Sequence, residues 1–196
     1  MAMAEVLPFR HEEAEHKTAY LGMVIFLGSW AMMFASIFFA YGMVRVRAPV
    51  WPPPGMPPFP VALPALNTVV LALSSVTMQL GLRRVRGGKA PELRWWLLGT
   101  IALGLLFVAL QIQLWLSVWR GGLRVDSGID GSVLYGLTWF HALHVVCGLG
   151  VLGWLLAGAL RNTYSVRHHA PVRMAAMFWH FVDVVWVLMF LTVFLL

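Results

Sequence analysis

The chain has 196 residues, of which 60% are hydrophobic and only 11% are charged. A soluble domain is about half apolar and about one quarter charged, so this composition excludes an ordinary soluble protein and indicates an integral membrane protein. The formal net charge of +6 comes from basic residues between the apolar runs. That distribution is typical of membrane topology and argues against nucleic-acid binding.

Residues 1–18, ahead of the first apolar run, are polar and carry both signs of charge. We interpret them as a short cytoplasmic arm. The remainder, 19–196, contains five apolar runs that are each long enough to cross a bilayer. It is therefore predicted to be a single all-α domain, an integral membrane bundle of five transmembrane helices. The predicted helices cover about 19–44, 61–82, 95–119, 132–160 and 174–196.

Positive charge is distributed unevenly between the two ends of these helices. The second-to-third and fourth-to-fifth connections carry eight Lys and Arg residues, whereas the two opposite connections carry four. Positive residues are retained in the cytoplasm. The N-terminus is therefore predicted to be cytoplasmic and the C-terminus outside, and we expect the protein in the cytoplasmic (inner) membrane of a bacterium.

Polar side chains at membrane depth are the candidate site residues. Asp183 is the one acidic residue inside the long apolar runs, and a carboxylate there normally faces a partner or a wet cavity. His180 lies three residues earlier on the same helical face, and we expect the two to pair. His141 and His144 are also three apart and could meet this pair in the bundle.

On the residues alone, two interpretations of these four side chains remain open. Three histidines and a carboxylate are compatible with a metal or haem site. Alternatively, they hydrogen-bond across helices and fix the helix register, which the incomplete ligand set favours. The chain has no phosphate-binding loop, activated nucleophile or paired carboxylates, so we predict no catalytic site in it.

Other polar residues in the apolar runs are predicted to make interhelical contacts. They are Asn67, Thr68, Ser74, Ser75 and Thr77 on the second helix and Gln111 and Gln113 on the third. Three closely spaced glycines on the fourth helix are expected to permit close helix approach. They are Gly148, Gly150 and Gly153.

Five motifs are the most specific feature of the sequence. Phe-Trp-His-Phe-Val-Asp-Val-Val-Trp at 178–186 resembles the signature of subunit III of the haem–copper terminal oxidases. Phe-His-Ala-Leu-His-Val-Val-Cys-Gly at 140–148 looks like the family's helix with two histidines before a glycine. Three further segments are similar to family markers in the same order: Phe-Phe-Ala-Tyr at 38–41, Trp-Pro-Pro-Pro-Gly at 51–55 and Asn-Thr-Val-Val-Leu-Ala-Leu-Ser-Ser at 67–75.

The resemblance implies a non-catalytic subunit that packs beside subunit I, binds phospholipid and supports stable, proton-pumping turnover. Haem and copper would then belong to partner subunits of an enzyme that reduces oxygen with electrons from cytochrome c or quinol. An alternative is a subunit III homologue associated with nitric oxide reductase or another respiratory complex. The family usually has seven spanning helices and this chain matches the last five. The sequence does not tell the electron donor, the haem types, or whether subunit I supplies the other two helices.

Three positions depart from the family pattern. The family's glutamates align with Trp30, Leu114 and Arg173, so a role that depends on those carboxylates does not carry over. His168 and His169, by contrast, match a histidine pair of the family.

Basic residues near this histidine pair suggest a second candidate site. Together with Arg161, Arg167 and Arg173, His168 and His169 are expected to bind anionic lipid headgroups on the cytoplasmic side. The alternative is that these positive charges only set the topology.

Overall fold

The computed structural model describes residues 6–47, 61–122 and 129–195. Five helices fill these ranges, and each contains an apolar stretch long enough to span a membrane, as predicted. They are α1 (Val6–Arg47), α2 (Ala62–Arg86), α3 (Leu93–Arg120), α4 (Ile129–Leu160) and α5 (Ala170–Met189), and α5 continues as a π-helix over Phe190–Leu195. The proline-rich segment 51–55 lies outside the described residues.

The helix starts that differ most from the apolar pattern are those of α1 and α5, which both begin earlier. Helix α1 starts at Val6, within the segment interpreted as an arm, and its span-length apolar part is Lys17–Arg47. Helix α5 starts at Ala170 with Pro171 in its first turn. Proline is tolerated there because the first amides of a helix have no intrahelical acceptor. A hydrophobic pattern reports the membrane-buried part of a helix and not its polar ends.

Helices α2 to α5 form a four-helix bundle. Helix α2 packs on α3 and α5, and α4 packs on α3 and α5. Helix α1 lies outside this bundle and contacts α4 and α5. Very little of its apolar span is therefore fully buried, although Phe34 and Tyr41 are buried against the bundle.

Trp179 holds all four bundle helices together. It projects from α5, is 1% exposed, and donates from Nε1 to Ser74 Oγ on α2 at 2.9 Å. Its ring lies against Gly104 of α3 and Gly148 of α4. A Cβ on either glycine would come within 3.0 Å of the ring, so glycine is what allows the ring to enter between α3 and α4.

Trp186 forms the next layer, two turns along α5. Its Nε1 donates to Thr68 Oγ1 on α2 at 3.0 Å. Its ring packs edge-on against Phe107 of α3, with centroids 4.9 Å apart. It also packs in a tilted orientation against the ring of His141 on α4, with centroids 5.3 Å apart. The signature segment 178–186 thus contributes two indoles that cross the bundle.

Candidate functional site: polar groups within the helical bundle

His180 and Asp183 lie at the seam between α5 and α2. His180 Nδ1 is 3.2 Å from Ser75 Oγ, and Nε2 is 3.2 Å from Gln79 Oε1. Asp183 lies three residues further along α5 and is half-buried, and its Oδ1 has no hydrogen-bond partner within the described ranges. The hydrogen bonds of His180 thus go to α2 and not to Asp183.

His141 and His144 occupy different surroundings. His141 is completely buried among the rings of Phe34, Phe107 and Trp186, and neither ring nitrogen has a hydrogen-bond partner in the described part of the chain. The Nδ1 atom of His144 lies 2.6 Å from the carbonyl of Phe140 in its own helix. The structure thus keeps the α4 histidines apart from the hydrogen bonds of His180.

The interpretation of the four residues as a metal site finds no support in their arrangement. Among the side chains that the structure describes, no three or more His, Cys, Asp or Glu residues are grouped so that they could hold a metal ion. The interpretation as interhelical contacts accounts for His180 through its bonds to α2. It does not account for His141, whose ring contributes packing alone.

Most of the predicted polar contacts do join helices. Asn67 Nδ2 donates to Gln111 Oε1 at 3.2 Å between α2 and α3, and the hydroxyls of Thr77 and Thr100 lie 2.9 Å apart. Gln113, in contrast, is exposed on α3. Both glutamines lie in the same apolar run, so the hydrophobic pattern of the sequence does not distinguish the buried Gln111 from the exposed Gln113.

The predicted headgroup residues cluster at the α4–α5 connection. Exposed members are Arg161, Arg167, His168 and Arg173, while His169 is half-buried. The guanidinium of Arg173 lies 4.7 Å above the ring of Tyr20 on α1. Tyr164, in the same connection, is 8% exposed, and its burial raises the pKa of the phenol.

Trp30, Leu114 and Arg173, where the sequence departs from the pattern that it resembles, all make packing contacts. Trp30 stands edge-on to the His144 ring with centroids 4.2 Å apart. Leu114 is 2% exposed in the core, and Arg173 stacks on Tyr20. Each of these three side chains therefore makes its own contacts within the fold.

A groove between α1 and α5 was not predicted from the sequence. It has a volume of about 660 Å³ and is lined mainly by apolar side chains, including Phe38, Phe181 and Leu188. Arg45 closes one end, where its Nη1 donates to Tyr41 Oη and to the Thr192 carbonyl, both at 3.2 Å. The two walls are far apart in sequence, so no local pattern indicates the groove.

Comparison with known proteins gives one consistent result. The family model for cytochrome c oxidase subunit III matches residues 2–196. The chain is similar to cytochrome c oxidase subunit 3 of a Synechocystis species, with 36% identity over 89% of this chain and 74% of the relative. Subunit 3 of Thermostichus vulcanus is 31% identical over 95% of this chain and 90% of the relative. Subunit 3 of Mus musculus is 33% identical over 94% of this chain and 72% of the relative.

Proposed function

Since this chain belongs to the cytochrome c oxidase subunit III family, we propose that it is the non-catalytic subunit III of a haem–copper terminal oxidase. It packs on subunit I, binds phospholipid and supports stable oxygen-reducing, proton-pumping turnover. The observation that carries this proposal is the match of the family over nearly the whole chain. The oxygen chemistry then belongs to haem and copper in the partner subunits.

The groove between α1 and α5 supports a lipid-binding role. Its apolar walls follow α1 from Ala31 to Arg45, a distance of roughly 20 Å at 1.5 Å per residue, which suits an acyl chain. The Arg45 guanidinium at one end suits an anionic headgroup. On the predicted topology, this end faces the outer side of the membrane.

The α4–α5 connection supports headgroup binding at the opposite, cytoplasmic end. Arg161, Arg167 and His168 are all exposed, and a Cβ on Gly88 would lie 4.0 Å from Val166, so the basic α2–α3 connection is adjacent. Several Lys and Arg residues close to a membrane surface attract anionic lipids, each by about 1 kcal/mol. We propose that these residues, with His169 and Arg173, contact lipid phosphates.

The test of the subunit role is purification from the native membrane in a mild detergent. We expect a tagged chain to bring haem–copper oxidase subunits with it and to give an eluate that consumes oxygen. Deletion of the chain should shorten the catalytic lifetime of the remaining oxidase during turnover. Unchanged assembly, rate and lifetime after deletion would contradict the proposal, and co-purification of a nitric-oxide-reducing enzyme would identify a different partner.

A further inference from the structure

Two amide side chains meet inside the bundle, where α2 packs on α3. Asn67 Nδ2 donates to Gln111 Oε1 at 3.2 Å, and the two residues are 0% and 1% exposed. The other polar atom of each amide, Asn67 Oδ1 or Gln111 Nε2, has no hydrogen-bond partner among the described residues. A buried polar group without a partner costs free energy, and lipid supplies no partner.

The donors of the adjacent residue Thr68 and of its partner Trp186 are already used. The Thr68 hydroxyl donates its one proton to the Pro64 carbonyl at 2.8 Å, and it accepts from Trp186 Nε1 at 3.0 Å. Asn67 Oδ1 can only accept and Gln111 Nε2 can only donate. The amide pair therefore lacks one donor and one acceptor.

The assignment of nitrogen and oxygen within the two amides does not change this count. If both amides are turned, Gln111 donates to Asn67, and the atoms left over are the Asn67 nitrogen and the Gln111 oxygen. If only one amide is turned, two nitrogens or two oxygens face each other without a bond. Every bonded arrangement thus leaves one donor and one acceptor, which belong to different helices.

A molecule bound here must accept a hydrogen bond from one amide and donate one to the other. The amide hydrogens of Gln111 repel a cation, and the carbonyl oxygen of Asn67 repels an anion. A neutral molecule with both functions fits, and the burial of both residues admits only the smallest, which is water. A buried water typically makes about two to four hydrogen bonds.

The amide pair lies near the end of the bundle at which α2 begins and α3 ends. Asn67 is five residues from the start of α2 at Ala62, roughly 8 Å along the helix axis at about 1.5 Å per residue. Gln111 is nine residues from the end of α3 at Arg120, which is roughly 14 Å. Water from that end therefore has only a few helical turns to cross.

We propose that Asn67 and Gln111 hold a structural water molecule between α2 and α3. The water accepts from Gln111 Nε2 and donates to Asn67 Oδ1. Together with the direct bond between the amides, these two bonds form a closed ring that joins the two helices. The proposal concerns the chain itself and does not depend on which oxidase contains it.

Electron cryo-microscopy tests this site, at a resolution that shows ordered water, on the chain purified from its native membrane with the subunits that accompany it. We expect a density peak within hydrogen-bonding distance, about 2.7–3.2 Å, of both amides. Gln111→Met keeps the length of the side chain and removes its polar atoms, so the peak should disappear. Gln113→Met is the matched control, because Gln113 is exposed on the same helix, and the peak should remain.

A wild-type map without a peak between the two amides would overturn the proposal, and so would a map in which the amides bond to each other twice. A peak that persists in Gln111→Met would overturn the role of this side chain. If Gln111→Met does not fold, the wild-type map still decides, because it requires no variant.

Discussion

The position of the Trp179 ring between Gly104 and Gly148 predicts that these two glycines are intolerant of even one methyl group. A Cβ at Gly148 would lie 3.0 Å from two atoms of the Trp179 ring and 3.2 Å from Phe178. A Cβ at Gly104 would lie 2.8 Å from Leu149 and 3.0 Å from Trp179. The indole cannot withdraw easily, because it is buried and hydrogen-bonded to α2.

Gly150 supplies the control, since a Cβ there would meet nothing within 4 Å. Alanine is favoured over glycine in a helix by up to about 1 kcal/mol, and this gain is common to all three sites. The difference between Gly148→Ala and Gly150→Ala therefore isolates the cost of overpacking, typically about 1–3 kcal/mol. In a protein of 150–250 residues, a loss of stability of this size lowers the melting temperature by roughly 2 to 12 °C.

The assay is thermal unfolding of the detergent-purified protein, followed by tryptophan fluorescence. We expect Gly104→Ala and Gly148→Ala to melt below Gly150→Ala. A Trp179→Phe background should reduce the penalty at Gly148, because the smaller ring leaves room, and a double-mutant cycle measures that coupling. Equal melting temperatures for the Gly148 and Gly150 variants would refute the packing argument.

Three further predictions concern other contacts. Gly158→Ala should destabilise the α4–α5 connection by about 1–3 kcal/mol, because a Cβ would lie 2.5 Å from Tyr164 Oη; Tyr164→Phe should recover part of the loss in thermal melts. Arg45→Met should reduce the acidic phospholipid that co-purifies, measured by native mass spectrometry, whereas Arg47→Met should not; equal retention in both would contradict a headgroup role. His141→Phe should raise stability by about 1 kcal/mol, because the buried ring nitrogens have no partner in the described part; a loss in chemical denaturation would indicate a hidden partner.

The five spans and the shared face of Trp179 and Trp186 were predictable because membrane length and helical periodicity are local properties of a sequence. Trp179 and Trp186 are seven residues apart and therefore share a face, and both are buried. The partner of His180 was not predictable in the same way. A spacing of three places His180 and Asp183 on one face, but only tertiary packing decides that α2, 105 residues earlier, supplies the hydroxyl that contacts His180.

The separation of the α4 histidines from His180 has a similar cause. The sequence does not show which faces of α4 and α5 are turned toward each other. Four polar residues on these two helices therefore suggest a single cluster. In the structure, the rings of Phe34 and Phe107 surround His141. The three glycines of α4 also differ because they lie on different faces of the helix. Gly148 faces Trp179, whereas Gly150 and Gly153 face open space.

The attachment of α1 to the outside of the bundle has a consequence for biosynthesis. Helix α1 is synthesised before α4 and α5, yet its contacts are with these two helices, and Arg45 bonds to a carbonyl 147 residues later in the chain. It therefore enters the membrane before its packing partners do. Until α4 and α5 have been inserted, α1 is stabilised in lipid by its own hydrophobicity and its backbone hydrogen bonds.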